Sequence, residues 1–97
     1  MAILEIEATP SDDLRRYKLA IDRKRVRMGA NNKGRFEVRG DCNDGSEHRL
    51  SYGLVGPAGA TLSIKVLCGG ETEVEIANIE IFPEGEPYAA GWQDFRL

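Results

Sequence analysis

The stretch that decides the fold is His48–Val66, HRLSYGLVGPAGATLSIKV. His48, Leu50, Tyr52 and Leu54 share one parity, with Arg49, Ser51 and Gly53 between them. Beyond Gly56-Pro57-Ala58-Gly59 the alternation resumes, with Ala60, Leu62, Ile64 and Val66 against Thr61, Ser63 and Lys65. A period of two marks a half-buried strand, because successive side chains leave opposite faces of the pleat. If the two strands pair directly, their apolar faces must meet. A four-residue loop would set Leu54 against Thr61, whereas a three-residue loop, Pro57-Ala58-Gly59, sets Leu54 against Leu62, Tyr52 against Ile64 and Leu50 against Val66. A slip of one residue would flip every side chain, so the pattern selects the second register. Pro57 presets φ and Gly59 supplies a left-handed position. The sequence therefore predicts a direct hairpin. The alternative is an arch that puts the two strands in different sheets.

The same period extends outward. Ile3–Ala8 sets Leu4, Ile6 and Ala8 against Ile3, Glu5 and Glu7, and Leu14–Ile21 sets Tyr17, Leu19 and Ile21 against Arg16, Lys18 and Ala20. Arg25–Met28 follows a turn at Asp22–Lys24, and matching the apolar faces pairs Ile21 with Val26 and Leu19 with Met28. Phe36 and Val38 form the inward face of the next strand. In Thr72–Phe82 the phase slips between Ile76 and Ile79, which predicts a β-bulge near Ala77-Asn78. Pro83–Pro87 reads as a loop and Tyr88–Leu97 as a last strand, with Trp92, Phe95 and Leu97 anchoring the C-terminus. Seven or eight short strands and no helix of normal length imply an all-β fold. The expected architecture is one antiparallel β-sandwich domain over residues 1–97, Ig-like or jelly-roll-like in connection, with a small barrel as the alternative.

Residues 15–39 carry a formal charge of +8, residues 40–97 carry −7 and residues 1–14 carry −4, within a chain whose net charge is only −3. Such segregation bears on association rather than on fold. Arg16, Lys18, Arg25 and Arg27 fall on one strand face and form a candidate surface for an anionic partner. The bland account sets that face across from an acidic strand bearing Glu73, Glu75 and Glu80, as ordinary cross-strand pairing. The acidic net charge, with no nucleic-acid motif, argues against nucleic acid.

Other candidate sites rest on thinner signals. Asp41, Asn43, Asp44 and Glu47 could offer oxygens to calcium, although Gly45 breaks the EF-hand spacing. Cys42, His48 and Cys68 are a conceivable soft-metal set, but structural zinc asks for four ligands in paired short spacings. The expectation is no cofactor, no metal and two free thiols. The inferred hairpin places Cys68 opposite His48. Arg39-Gly40-Asp41 spells an integrin tripeptide and is discounted, since short motifs recur by chance. Tyr88 and Trp92 could stack on a sugar, or Trp92 could close the core.

A basic leader and an apolar run of membrane-spanning length are both absent from the sequence, so the expectation is a cytoplasmic protein that spans no membrane. The chain is read as a non-catalytic binding module whose partner is a protein, including itself as a two-fold homodimer. The alternatives are a carbohydrate- or calcium-binding module, and a small enzyme using His48 with a cysteine or a carboxylate.

Overall fold

Alternating residues become strands throughout the computed structural model, which describes residues 1–82 and 85–97. In chain order these are β1 (Ala2–Pro10), β2 (Arg16–Ile21), β3 (Lys24–Val26), β4 (Lys33–Val38), β5 (Glu47–Val55), β6 (Thr61–Cys68), β7 (Glu71–Glu80) and β8 (Tyr88–Arg96). They form two four-stranded sheets, ordered β4-β1-β6-β7 and β3-β2-β5-β8, with every pairing antiparallel. There is no helix among the described residues. The fold is the expected β-sandwich. The expected Pro83–Pro87 loop includes residues 83 and 84, which lie outside the described residues.

The direct hairpin is overturned. β5 lies between β2 and β8, and β6 lies between β1 and β7, so neither has a free edge for the other. The segment between them is an arch. Its turn is where the sequence put it: Ala60 N–H donates to Pro57 O at 3.1 Å, and Gly59 has φ 89°. Gly59 N–H then donates to Ile81 O at 2.8 Å, and Ile81 N–H to Ala60 O at 3.0 Å, which ties the arch to the end of β7. Matching apolar faces could not separate the two readings. Strands facing each other across a core satisfy the same parity as strands side by side.

The β2–β3 register also differs. Leu19 pairs with Val26 and Ile21 with Lys24, rather than Leu19 with Met28 and Ile21 with Val26. Asp22 and Arg23 alone make the turn, at φ 51° and 69°, the left-handed pair that a type I′ hairpin requires. Asp22 is held there by Arg49: its N–H donates to Arg49 O at 3.0 Å, and its Oδ1 accepts Arg49 N–H at 2.9 Å. Met28 is thereby released to bridge to Gly34 and carry the chain to the first sheet.

The bulge in β7 is where the phase slip put it. Leu62 pairs with Ile79 and Ile64 with Ile76, leaving one extra residue on β7. Asn78 takes φ 54° and its N–H donates to Ser63 Oγ at 3.0 Å.

The inward parities fill one core, with Leu4, Ile6, Leu19, Ile21, Leu50, Leu54, Leu62, Ile64, Val66 and Ile81 almost wholly buried. Each such side chain contributes about 1.5–3 kcal/mol of transfer free energy. Phe95 and Leu97 join them, but Trp92 is 62% exposed and does not close the core. Trp92 stands on the opposite parity of β8 from Phe95, and in a strand parity alone decides the face.

The thiols are not free. Cys42 and Cys68 form a disulfide, with Cα atoms 5.6 Å apart, that joins the β4–β5 crossover to the end of β6. On the outer face of the first sheet, Lys33, Glu7, Lys65 and Glu75 stand in register across four strands. Lys33 approaches Glu7 to 3.9 Å and Lys65 approaches Glu75 to 3.7 Å, so this row neutralises itself. At the sides of the sandwich β3 meets β4, and β7 meets β8.

Candidate functional site

The basic strand does not face the acidic one. β2 and β3 belong to one sheet and β7 to the other, and Glu75 pairs with Lys65 instead. What collects around β2 is a groove. β3 covers only Leu19–Ile21, and beyond Leu19↔Val26 the chain diverges toward Met28 and Gly34. The edge of β2 from Arg16 to Lys18 is left open on that side. A cavity of about 900 Å3 lies along it, bordered by Arg15, Arg16, Lys18, Arg25 and Arg27, with Tyr17 and Met28 among its apolar lining. All four residues of the expected basic face thus meet at one groove. Among the described residues none of these five cations has a carboxylate within 4.0 Å. The Tyr17 hydroxyl donates to Asn32 Oδ1 at 2.6 Å, and burial holds its pKa above the usual phenol value.

The outer face of the same sheet carries the exposed aromatics. Tyr88 is 57% and Trp92 62% exposed. The Arg49 guanidinium lies 5.2 Å from the centroid of the Trp92 ring. Asp94 grips that guanidinium through Nε at 2.7 Å and Nη2 at 3.2 Å, which raises the arginine pKa and lowers the carboxylate's.

His48 is drawn into a chain of polar groups that sequence reasoning did not assemble. Its Nδ1 is 2.6 Å from Asp22 Oδ2 and its Nε2 is 2.8 Å from Ser46 Oγ. Ser46 Oγ also lies 2.6 Å from Asp44 Oδ1, which accepts the Ser46 N–H at 2.9 Å. The bonds from the Ser46 hydroxyl and N–H hold the Asp44 carboxyl below the usual carboxylate range. Ser46 has a single hydroxyl hydrogen, which it donates to Asp44 Oδ1.

The order carboxylate, imidazole, hydroxyl resembles an activated nucleophile, but acyl transfer also needs donors for an oxyanion. Here Gly45 N–H is bonded to Leu97 O at 2.9 Å and Ser46 N–H to Asp44. The row acts as a clasp that fixes the crossover loop to the β2–β3 turn. No local signal could have found it, because Asp22 and His48 are 26 residues apart.

The other candidate sets are dispersed. Cys42 and Cys68 are consumed by the disulfide, and His48 faces Asp22 and Ser46 rather than Cys68, so the soft-metal set does not form. Of the calcium candidates, Asp44 is turned onto Ser46 and Glu47 pairs with Arg96 across to β8, while Asp41 and Asn43 remain exposed. Among the described residues no three His, Cys, Asp or Glu side chains gather as a metal-ligand group.

Comparison of the chain with family models, curated proteins and solved structures finds no match.

Proposed function

We propose that the chain is a non-catalytic protein-binding module that takes an acidic strand into the groove beside β2, and that a second copy supplies that strand. The observation that carries this reading is the un-neutralised groove of Arg15, Arg16, Lys18, Arg25 and Arg27 beside an open strand edge. An open edge offers backbone groups for strand addition, and clustered cations select an acidic occupant. The chain carries a fitting one. β7 is itself an edge strand, with Glu71, Glu75 and Glu80 exposed; among the described residues Glu75 alone of the three has a basic partner, at 3.7 Å from Lys65. Charge of this kind sets orientation and rate more than affinity, and the added backbone pairing supplies the rest.

The test is sedimentation equilibrium at low and high salt. Association at tens of micromolar that weakens with salt is expected, and weakening further in an Arg25→Glu/Arg27→Glu variant of unchanged circular dichroism. A salt-independent monomer at low ionic strength would exclude it.

The disulfide favours an oxidising compartment over the cytosol expected from the N-terminus, since such bonds are rare where thiols are kept reduced.

A further inference from the structure

Gly53 stands in the interior of β5, between two paired strands, where the fold asks for no glycine. Its φ is outside the left-handed region, and a Cβ built on it would meet no atom within 4 Å. Gly91 and Gly34 differ: a Cβ there would strike the Tyr52 hydroxyl or the backbone of Arg27. A strand-interior glycine weakens the strand, and without a packing reason it marks a place where something approaches closely.

What its missing side chain leaves is a trough. Gly53 lies between Lys18 and Ala90 in register, and Ala20 and Ser51 continue the floor of small residues. Two hollows of about 280 Å3 each lie on either side of it and share Lys18 and Gly53. Tyr88 lines one of the two hollows, and Trp92, four residues on along the same face of β8 and opposite Ser51 in register, borders the floor about 13 Å away by strand rise. The facing wall is cationic, with Arg16, Lys18 and Arg25. Trp92 is steadied at its end of the trough by Arg49, which Asp94 holds.

In the middle of a sheet face the backbone groups are committed to neighbouring strands, so a ligand meets ring planes and side-chain charges only. A pyranose ring presents an apolar C–H face to the first and oxygen substituents to the second. We infer that the trough binds an acidic sugar chain, a uronate-bearing oligosaccharide whose rings stack on Tyr88 and Trp92 and whose carboxylates reach Lys18, Arg16 and Arg25. The disulfide agrees with this, because the compartments that preserve disulfides include the cell surface and the exterior.

Trp92 is the only tryptophan in the chain, and it borders the trough beside Ser51, so its fluorescence reports on a sugar stacked there. Titration with a short oligogalacturonate should give a saturable change in emission. A neutral cello-oligosaccharide of the same length should bind at least about tenfold more weakly, the worth of one hydrogen bond to a charged group. A Gly53→Val variant fills the trough with a residue that suits a strand. It should keep its circular dichroism, melt at or above the original midpoint and lose affinity by more than about tenfold. Glu71→Lys/Glu80→Lys changes β7 in the other sheet, away from the trough and its cations; it should lose self-association and leave the titration unchanged, so failure of self-association and failure of sugar binding show separately. Equal affinity for the neutral chain, undiminished binding by Gly53→Val, or no emission change with the acidic chain would each overturn the assignment.

Discussion

Gly59 at φ 89° and Asn78 at φ 54° each settle the path of a strand with one residue. Both were legible: Gly59 from the Pro-Ala-Gly spacing, Asn78 from the slip in phase between Ile76 and Ile79. A left-handed residue with a Cβ costs about 1–2 kcal/mol. Gly59→Val should therefore lower the unfolding free energy by about that amount in urea denaturation, since nothing crowds the position sterically. A neutral result would contradict the turn. The sequence left Trp92 either on a surface platform or in the core, and strand parity decides it: Phe95 is buried and Trp92 is exposed, three residues away. The Asp22–His48–Ser46 row was not legible at all. Its members are lone polar residues in a turn, a loop and a strand, and only the packing of β5 beside β2 brings them within hydrogen-bonding distance.

At the level of elements, period-two alternation found the strands well and their partners poorly. β5 and β6 present matching faces whether paired in one sheet or opposed across the core, so apolar matching carried no information on that choice. The β2–β3 register failed for a related reason. Val26 and Met28 both suit an inward position, and the two-residue turn depended on Asp22 accepting φ 51° with Arg49 as its partner. The disulfide was likewise hidden, because the inferred hairpin sent Cys68 toward His48 instead of toward the β4–β5 crossover. That bond, spanning a sequence separation of 26, should contribute about 3–4 kcal/mol by restricting the unfolded chain. Denaturation midpoints with and without reductant measure it. Equal stability in the two would show that the crossover is held by its hydrogen bonds to Leu97 and Asp22 alone.

For the whole molecule, the charge segregation seen along the chain is resolved in two different ways. The first sheet pairs one row of its charges internally, Lys33 with Glu7 and Lys65 with Glu75, and leaves Glu71 and Glu80 of β7 without a basic partner among the described residues. The second leaves Arg15, Arg16, Lys18, Arg25 and Arg27 without acidic partners among the described residues. The basic face was legible from four residues of like charge on short neighbouring strands. The groove was not, because it exists only where β3 stops short of β2.

The sides of the sandwich decide what kind of assembly this charge can build. The basic groove lies where β3 meets β4, and the acidic β7 lies on the other side, beside β8. If the contact is the proposed one of groove with β7, the same two molecules cannot make it twice over, because the two surfaces lie on opposite sides. On that proposal each copy docked at one side leaves its other side free, so copies add head to tail, as an open chain or until a ring closes. Mass should then climb with concentration without a plateau at two. Two crippled variants make this decisive: one with the groove reversed as Arg25→Glu/Arg27→Glu, the other with β7 reversed as Glu71→Lys/Glu80→Lys. Neither should polymerise alone. Mixed, the surviving groove of one should cap the surviving strand of the other, and sedimentation should find pairs and nothing longer. Longer species in the mixture, or none, would rule out a one-way chain.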